Sequence, residues 1–364
     1  MNTNTIDNQN NSAGDAIKNS CDFTESGLRF NSIGGHLKEI FGEKVIKLSL
    51  DGGFTCPNRD GSCGTGGCIF CSADGSGENA SDIPGQLALL SKKWPQGKYI
   101  VYFQNHTNTY APVAELREKY YAALEYSKRL KGKLPEDELP EIVGIAIATR
   151  PDCLSEEVLD LLSELSKKTY LWVELGLQSI HEETARTINR CYDLSVFDEA
   201  MQKLTNRGIR TVVHLIFGLP KSIASASEGT DASCGNGAVS AIIPETREEM
   251  LQSVRYVCEK EPFGIKLHLL NVIRGSQMET LCPEYVPFSS QQEYIDLVCD
   301  ALEIIPPFVT IHRLTADAPR QLLIAPEWSY RKRSILNGIE KELRVRNSFQ
   351  GCHRNRPERD NISE

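Results

Sequence analysis

The sequence predicts an α/β fold of parallel βα units, and two observations carry that prediction. From Lys44 onward, short β-branched or apolar runs alternate with longer segments of helical period, and polar residues gather where each run ends. Parallel strands joined by right-handed crossovers close into a barrel or open into a doubly wound sheet. In either arrangement ligands sit at the carboxyl ends of the strands.

Taken in order, residues 1–26 are rich in Asn, Ser, Asp and Gly, which cannot bury enough apolar surface to offset the entropy of ordering. They are expected to form a disordered tail. The core is expected over 27–305, with strands at Val45–Leu50, Tyr99–Gln104, Ile142–Thr149, Tyr170–Leu177, Ile209–Phe217 and Gly264–Leu270. Between them lie helical patterns such as Leu154–Leu165, whose apolar residues recur at three and four. The stretch 222–244 is small, rich in Ser, Ala and Gly, and without helical or strand period, so it is expected to be a mobile surface insertion without chemistry. A seventh strand-like run, Phe308–Arg313, begins a small C-terminal extension over 306–364. Within it, Arg331 to Arg359 carries nine Lys or Arg against three Asp or Glu, a local balance of +6 in a chain of net charge −9.

At 364 residues with 24% charged, the chain is long enough to bury a full core, which excludes a small disulfide scaffold. No apolar run approaches the roughly 20 residues of a membrane span. The N-terminus lacks the basic start and apolar stretch of a secretory signal. The expected location is the cytoplasm, with no membrane partner. There disulfides are disfavoured, so clustered members of the twelve Cys point to metal or redox chemistry.

Four cluster: Cys56, Cys63, Cys68 and Cys71, on a glycine-rich stretch directly after the first strand. A four-Cys zinc site normally has two close pairs separated by a dozen or more residues. Here only Cys68-x-x-Cys71 is such a pair, so the spacing favours an iron–sulfur centre over zinc. A centre held by three thiolates keeps one metal position open for a ligand.

Three Cys on the loop after strand one, the last two as Cys-x-aromatic-Cys, ahead of a six-fold βα repeat, resemble the radical S-adenosylmethionine (SAM) enzymes. Gly144–Asp152, Val173–Ser179 continuing to Ile188-Asn189-Arg190, and Val272–Gly275 resemble the branch that contains the catalytic subunit of Elongator. Gly53–Gly61 (GFTCPNRDG), Thr107–Pro112 (TNTYAP) and Ala325–Trp328 (APEW) resemble uncharacterised bacterial proteins of that branch. The resemblance spans roughly residues 30 to 352.

It implies a partial (β/α)6 barrel and a [4Fe–4S] cluster ligated by Cys56, Cys68 and Cys71, with SAM chelated to the remaining iron. It also implies reductive cleavage of SAM to a 5′-deoxyadenosyl radical that abstracts hydrogen from a substrate. Cys63 is extra, since the related proteins generally lack a Cys there. Phe70 is expected against the SAM adenine, Gln104 and Asn105 at its amine, and Gln178 and Arg190 in contact with SAM. Arg190 suits the methionine carboxylate by its rigid fork. His214 stands where the related coproporphyrinogen dehydrogenases have an Asp, at a ribose or adenine position. Two departures are plain: the usual Gly-Gly-Glu is missing after the second strand, and Ala148 stands where Elongator has Glu. His268, Glu174 and Lys266 alternate with apolar residues on strands, as do side chains that line a barrel interior.

The expected partners are SAM, a reductant such as flavodoxin or ferredoxin, and tRNA. The tRNA expectation rests on the Elongator likeness and on the basic stretch read as a phosphate-tracking surface; the stretch reads equally as a solvated helix whose apolar face is Ile335, Leu336, Ile339 and Leu343. The alternative is a non-catalytic, metal-stabilised RNA-binding protein.

Overall fold

The computed structural model of the protein describes residues 27–72, 75, 77, 79–94, 97–224 and 241–354. The expected tail over 1–26, with Cys21, and residue Cys234 lie outside the described residues.

In chain order the elements are α1 (Ile33–Phe41), β1 (Val45–Leu50), α2 (Ile83–Ser91), β2 (Lys98–Phe103), α3 (Val113–Leu124), α4 (Tyr126–Leu130), β3 (Glu141–Thr149), α5 (Glu156–Ser166), β4 (Tyr170–Gln178), α6 (Glu182–Thr187), α7 (Leu194–Asn206) and β5 (Arg210–Phe217). They continue with β6 (Pro220–Ala224), β7 (Ala241–Pro244), α8 (Arg247–Glu259), β8 (Gly264–Leu269), β9 (Val272–Ile273), α9 (Gln277–Leu281), α10 (Gln291–Ile304), β10 (Thr310–Arg313), β11 (Leu323–Ala325) and α11 (Lys332–Val345). Seven strands form one sheet in the order β1-β2-β3-β4-β5-β8-β10. Every pairing in it is parallel. The two end strands are not paired with each other, so this is the expected α/β partial barrel rather than a closed one.

The helices form where the sequence supplies both an apolar stripe and a start signal. In α5, Ser155 caps the first turn by accepting from the Val158 amide at 3.3 Å, and Val158, Leu159, Leu161, Leu162 and Leu165 are buried against the sheet. Thr246 and Glu249 form a reciprocal capping box at the start of α8. The largest core lies between the outer face of the sheet and these helices. On the inner face, Ile33 and Leu37 of α1 join Ile100, Tyr102, Ala146, Trp172 and Val212 in a second apolar cluster.

Two boundaries differ from the sequence expectation. The ends of the 222–244 stretch pair as an antiparallel ladder, β6 with β7, with Ile223 opposite Ile242. The β-branched residues at both ends supply strand propensity that the Ser/Ala/Gly composition conceals; residues 225–240 lie outside the described residues. Residues 306–313 are not the start of a separate layer, because β10 completes the main sheet and Val309 and Ile311 enter the main core. The basic helix α11 buries Ile335, Ile339 and Leu343. The Arg331–Arg359 stretch is also less cationic in space than in sequence: Arg346 meets Asp296, Asp300, Glu303 and Glu342, and Lys332 meets Asp317.

Candidate active site

The carboxyl ends of the strands and the loop after β1 enclose one cavity of about 1410 Å³, counting its open mouth. Cys56, Cys68 and Cys71 all line it, and Cys63 does not. Cys63 is exposed, with a nitrogen of Arg150 at 3.8 Å and the Cys191 thiol beside it. The ten described cysteines are all free thiols.

The cysteine loop has little secondary structure, and its shape is set by side chains that satisfy its backbone. Asn58 is buried and its amide donates to Cys68 Sγ at 3.4 Å and to the Asn189 carbonyl at 3.0 Å. Asn189 in turn donates to the carbonyls of Thr65 at 3.0 Å and Gly67 at 2.7 Å. Gly66 and Gly67 have φ of 80° and 76°, a left-handed conformation that side chains resist. Ile69 anchors the loop in a third apolar cluster with Ile188, Ile216, Leu270 and Met278, and burying such a side chain contributes roughly 1.5–3 kcal/mol. Its neighbour Phe70 packs on that cluster and also lines the cavity.

Thr107–Pro112 joins the loop to the strand ends. Thr107 Oγ1 donates to Cys56 Sγ at 3.1 Å, and Asn108 donates to the carbonyls of Phe103 and Ala148 at 3.1 and 2.9 Å. The Thr109 and Thr149 hydroxyls meet at 2.5 Å, and the Tyr110 and Ser62 hydroxyls at 2.7 Å. The loop therefore hangs from the ends of β2 and β3.

The thiols are unequal. The Cys71 thiol donates to Cys68, which with Arg150 and Asn58 overcomes burial and lowers Cys68 to about 7. The same bond holds Cys71 well above its usual range. Burial pushes Cys56 up, against the bond from Thr107. Three thiols facing one cavity, with charge and hydrogen bonds ready to stabilise thiolates, form a soft donor set that fits an iron–sulfur cluster.

Further into the barrel the lining becomes charged. Tyr102 OH donates to Glu174 at 2.6 Å, Trp172 Nε1 donates to the same carboxylate at 2.9 Å, and Lys266 forms an ion pair with it. Burial pushes Glu174 up, yet Lys266, Lys47 and His312 outweigh it and hold the carboxyl well below its ordinary value. Burial and the Lys266 charge lower Lys47 to about 7.

The residues expected to touch SAM divide into two groups. Phe70, Gln104, Gln178 and His214 line the cavity, while Asn105 and Arg190 do not. Gln178 has φ of 66°, and its side-chain oxygen is buried without a partner. Gly176 makes room for it, since a β-carbon there would lie 2.6 Å from Gln178 Nε2. Arg190 is fully buried, and its donors are committed to the carbonyls of Leu177, Ser179 and Tyr192 and to Glu182. The guanidinium groups that line the cavity beside the thiols are those of Arg59 and Arg150, the latter held bidentately by Asp152 at 2.9 and 2.7 Å. Asn58, Thr107, Asn271 and Arg313 were not singled out from the sequence. The GFTCPNRDG and TNTYAP motifs contain the first two, but nothing local distinguishes Asn271 or Arg313.

An open parallel half-barrel whose cavity is lined by three thiols of the loop after its first strand defines a class of protein, and sequence comparison identifies the same class. The radical SAM superfamily model matches residues 60–224 and the radical SAM C-terminal domain model matches residues 262–345. The chain belongs to the radical SAM superfamily. It is 43% identical over 338 residues to the uncharacterised protein YtqA of Bacillus subtilis, covering 90% of this chain and 94% of YtqA. It is 34% identical over 333 residues to protein YhcC of Escherichia coli, covering 90% and 96%. Human Elongator complex protein 3 is 27% identical over 206 residues, which is 56% of this chain and 32% of that protein. The structure of the archaeal Elp3 of Methanocaldococcus infernus shares the fold, with a TM-score of 0.57 at 17% identity, covering 86% of this chain and 65% of that one. Among the described residues no helix is long and apolar enough to cross a membrane.

Proposed function

We propose that the protein is a radical SAM enzyme in which Cys56, Cys68 and Cys71 hold a [4Fe–4S] cluster. The observation that carries this reading is the selection of three of the four clustered cysteines by one cavity, with Cys63 outside it. When bound, such a cluster offers its fourth iron to the amino and carboxylate groups of SAM and supplies the electron that splits SAM into methionine and a 5′-deoxyadenosyl radical.

The residues of this chain bind, orient and exclude water. Arg150, fixed by Asp152, and the donors Asn58 and Thr107 stabilise negative charge on sulfur. Phe70, Ile216, Leu270 and Ile273 present apolar wall that keeps water from reactive groups. Gln178 and His214 offer buried polar atoms without protein partners, as expected for groups that meet a ligand.

Anaerobic reconstitution is expected to give broad absorbance, about four irons per chain, and reductant-dependent release of 5′-deoxyadenosine, with flavodoxin or ferredoxin as donor. Cys68→Ala abolishes iron retention and that release, while Cys63→Ala keeps both. Deoxyadenosine release that survives Cys68→Ala contradicts the ligand assignment. We propose tRNA as the substrate class on the strength of the stretch shared with Elongator complex protein 3. Mass spectrometry of tRNA nucleosides from cells with and without the gene tests it, and an unchanged profile refutes it.

A further inference from the structure

The inner end of the cavity carries more positive charge than its own acid can neutralise. Arg313, at the end of β10, is half-buried and lines the cavity with Lys266, His214 and His268. Among the described residues, none of the Arg313 nitrogens meets a carboxylate or another hydrogen-bond acceptor. The acids nearby are already engaged. Glu174 is held by Tyr102, Trp172 and Lys266, and Asp317 is paired with Lys332. Lys47 adds a further amine over the Tyr102 ring.

Two histidines complete the arrangement. The rings of His214 and His268 lie 5.1 Å apart between centroids, and His214 Nε2 and His268 Nδ1 are buried with no partner. Buried polar atoms are ordinarily paired, so two orphan ring nitrogens beside an unpaired guanidinium mark a place where a ligand supplies the partners. Burial keeps both rings neutral. A neutral ring donates one N–H without adding charge.

We propose that Arg313, His214, His268 and Lys266 form a receptor for an anionic group, a carboxylate or a phosphate, on the part of the substrate that enters the barrel. The proposal rests on the radical SAM reading and adds the chemistry of the second ligand. The SAM carboxylate is not the anion in question, since it belongs at the cysteine end, where Arg59 and Arg150 act on the thiols. Arg313 acts instead on Lys47, Tyr102, His214, His268 and Lys266. A guanidinium fork is the side chain best shaped for bidentate recognition of either anion.

The test uses the reconstituted full chain, first titrated with SAM and then, saturated with it, with acetate, inorganic phosphate and neutral acetamide by calorimetry. Acetate or phosphate is expected to bind and acetamide not, and the anion preferred names the substrate group. Arg313→Gln is expected to weaken anion binding about tenfold, the loss of one charge-assisted partner. Arg313→Lys and His268→Asn, as milder changes, weaken it less and keep the measurement available if Arg313→Gln does not fold.

Three results overturn the proposal: no anion binding by the wild-type chain, anion affinity unchanged in the variants, or SAM affinity falling in step with anion affinity. A wild-type chain that fails to bind SAM strikes the radical SAM reading instead. In that case the same anion titration of the SAM-free chain and its Arg313 variants still decides the receptor.

Discussion

Cys56, Cys68 and Cys71 hang from a loop held by side-chain hydrogen bonds, whereas Tyr102, Glu174 and Lys266 project from strands held by a continuous backbone ladder. The two ends of one cavity thus derive their geometry differently. At the mouth, Asn58, Asn189 and Thr107 each fix one or two contacts, and the backbone adopts left-handed turns that regular structure does not allow. At the inner end, the positions of the charges follow from sheet register, because residues of β2, β4 and β8 share one face. A loop can wrap a bulky inorganic group, and a rigid sheet can hold buried charge at short range. The comparison teaches that a polar deletion costs little at the mouth and much at the inner end.

The largest effect expected is at Glu174. Glu174→Ala leaves Lys266 buried without its acid and is expected to destabilise the chain by about 3–5 kcal/mol. The paired replacement Glu174→Leu with Lys266→Met recovers most of that loss, since a buried ion pair replaced by apolar residues of similar volume is often neutral. Urea unfolding measures both, and a single variant as stable as wild type breaks the contrast between the two ends.

Asn189→Ala is expected to cost less, about 1–3 kcal/mol. It removes two hydrogen bonds to the cysteine loop at a residue with φ of 58°. Its signature is local: iron is lost to a chelator faster in the reconstituted protein, beyond what the change in global stability explains. Equal iron retention would show that the loop does not depend on this clamp.

The smallest effect near neutrality comes from pH. Burial lowers His36 to about 4 and His214 to about 3, from an ordinary 6.5. Below 6.5 the unfolded chain therefore binds protons that the folded chain refuses. This stability is fully present above 6.5 and is lost as the pH falls toward the folded values. The urea midpoint of the metal-free chain is expected to be lower at pH 5 than at pH 7, and His36→Asn flattens the dependence. A midpoint that rises on acidification contradicts the sign.

Much of the fold was readable along the chain because parallel strands buried on both faces are continuous apolar runs, and each of the first six expected strands lies within a residue of its observed bounds. The cysteine cluster was readable for a similar reason: four thiols in sixteen residues, Cys56 to Cys71, are a local pattern, whereas the fold decided which three of them line the cavity. Arg190 and Asn105 show where local reading stops. Gln104 faces the cavity and the next residue does not, and Arg190 turns back to carbonyls of its own neighbourhood. A motif names a position but not the direction in which its side chain points.

What the sequence determined by itself is therefore the periodic part, namely the βα alternation, the place of the cysteine loop after β1 and the thiol spacing. Only the tertiary structure decided which charges meet. Lys47, Tyr102, Glu174, Lys266 and Arg313 come from five strands spread along the chain, and their proximity follows from sheet order and register. The same holds within the basic stretch, which reads as a patch in sequence, while in space Arg346 meets Asp296, Asp300 and Glu303 of α10 and Lys332 meets Asp317. Local pattern is carried by covalent neighbours, whereas an electrostatic site depends on distances that only the folded sheet sets.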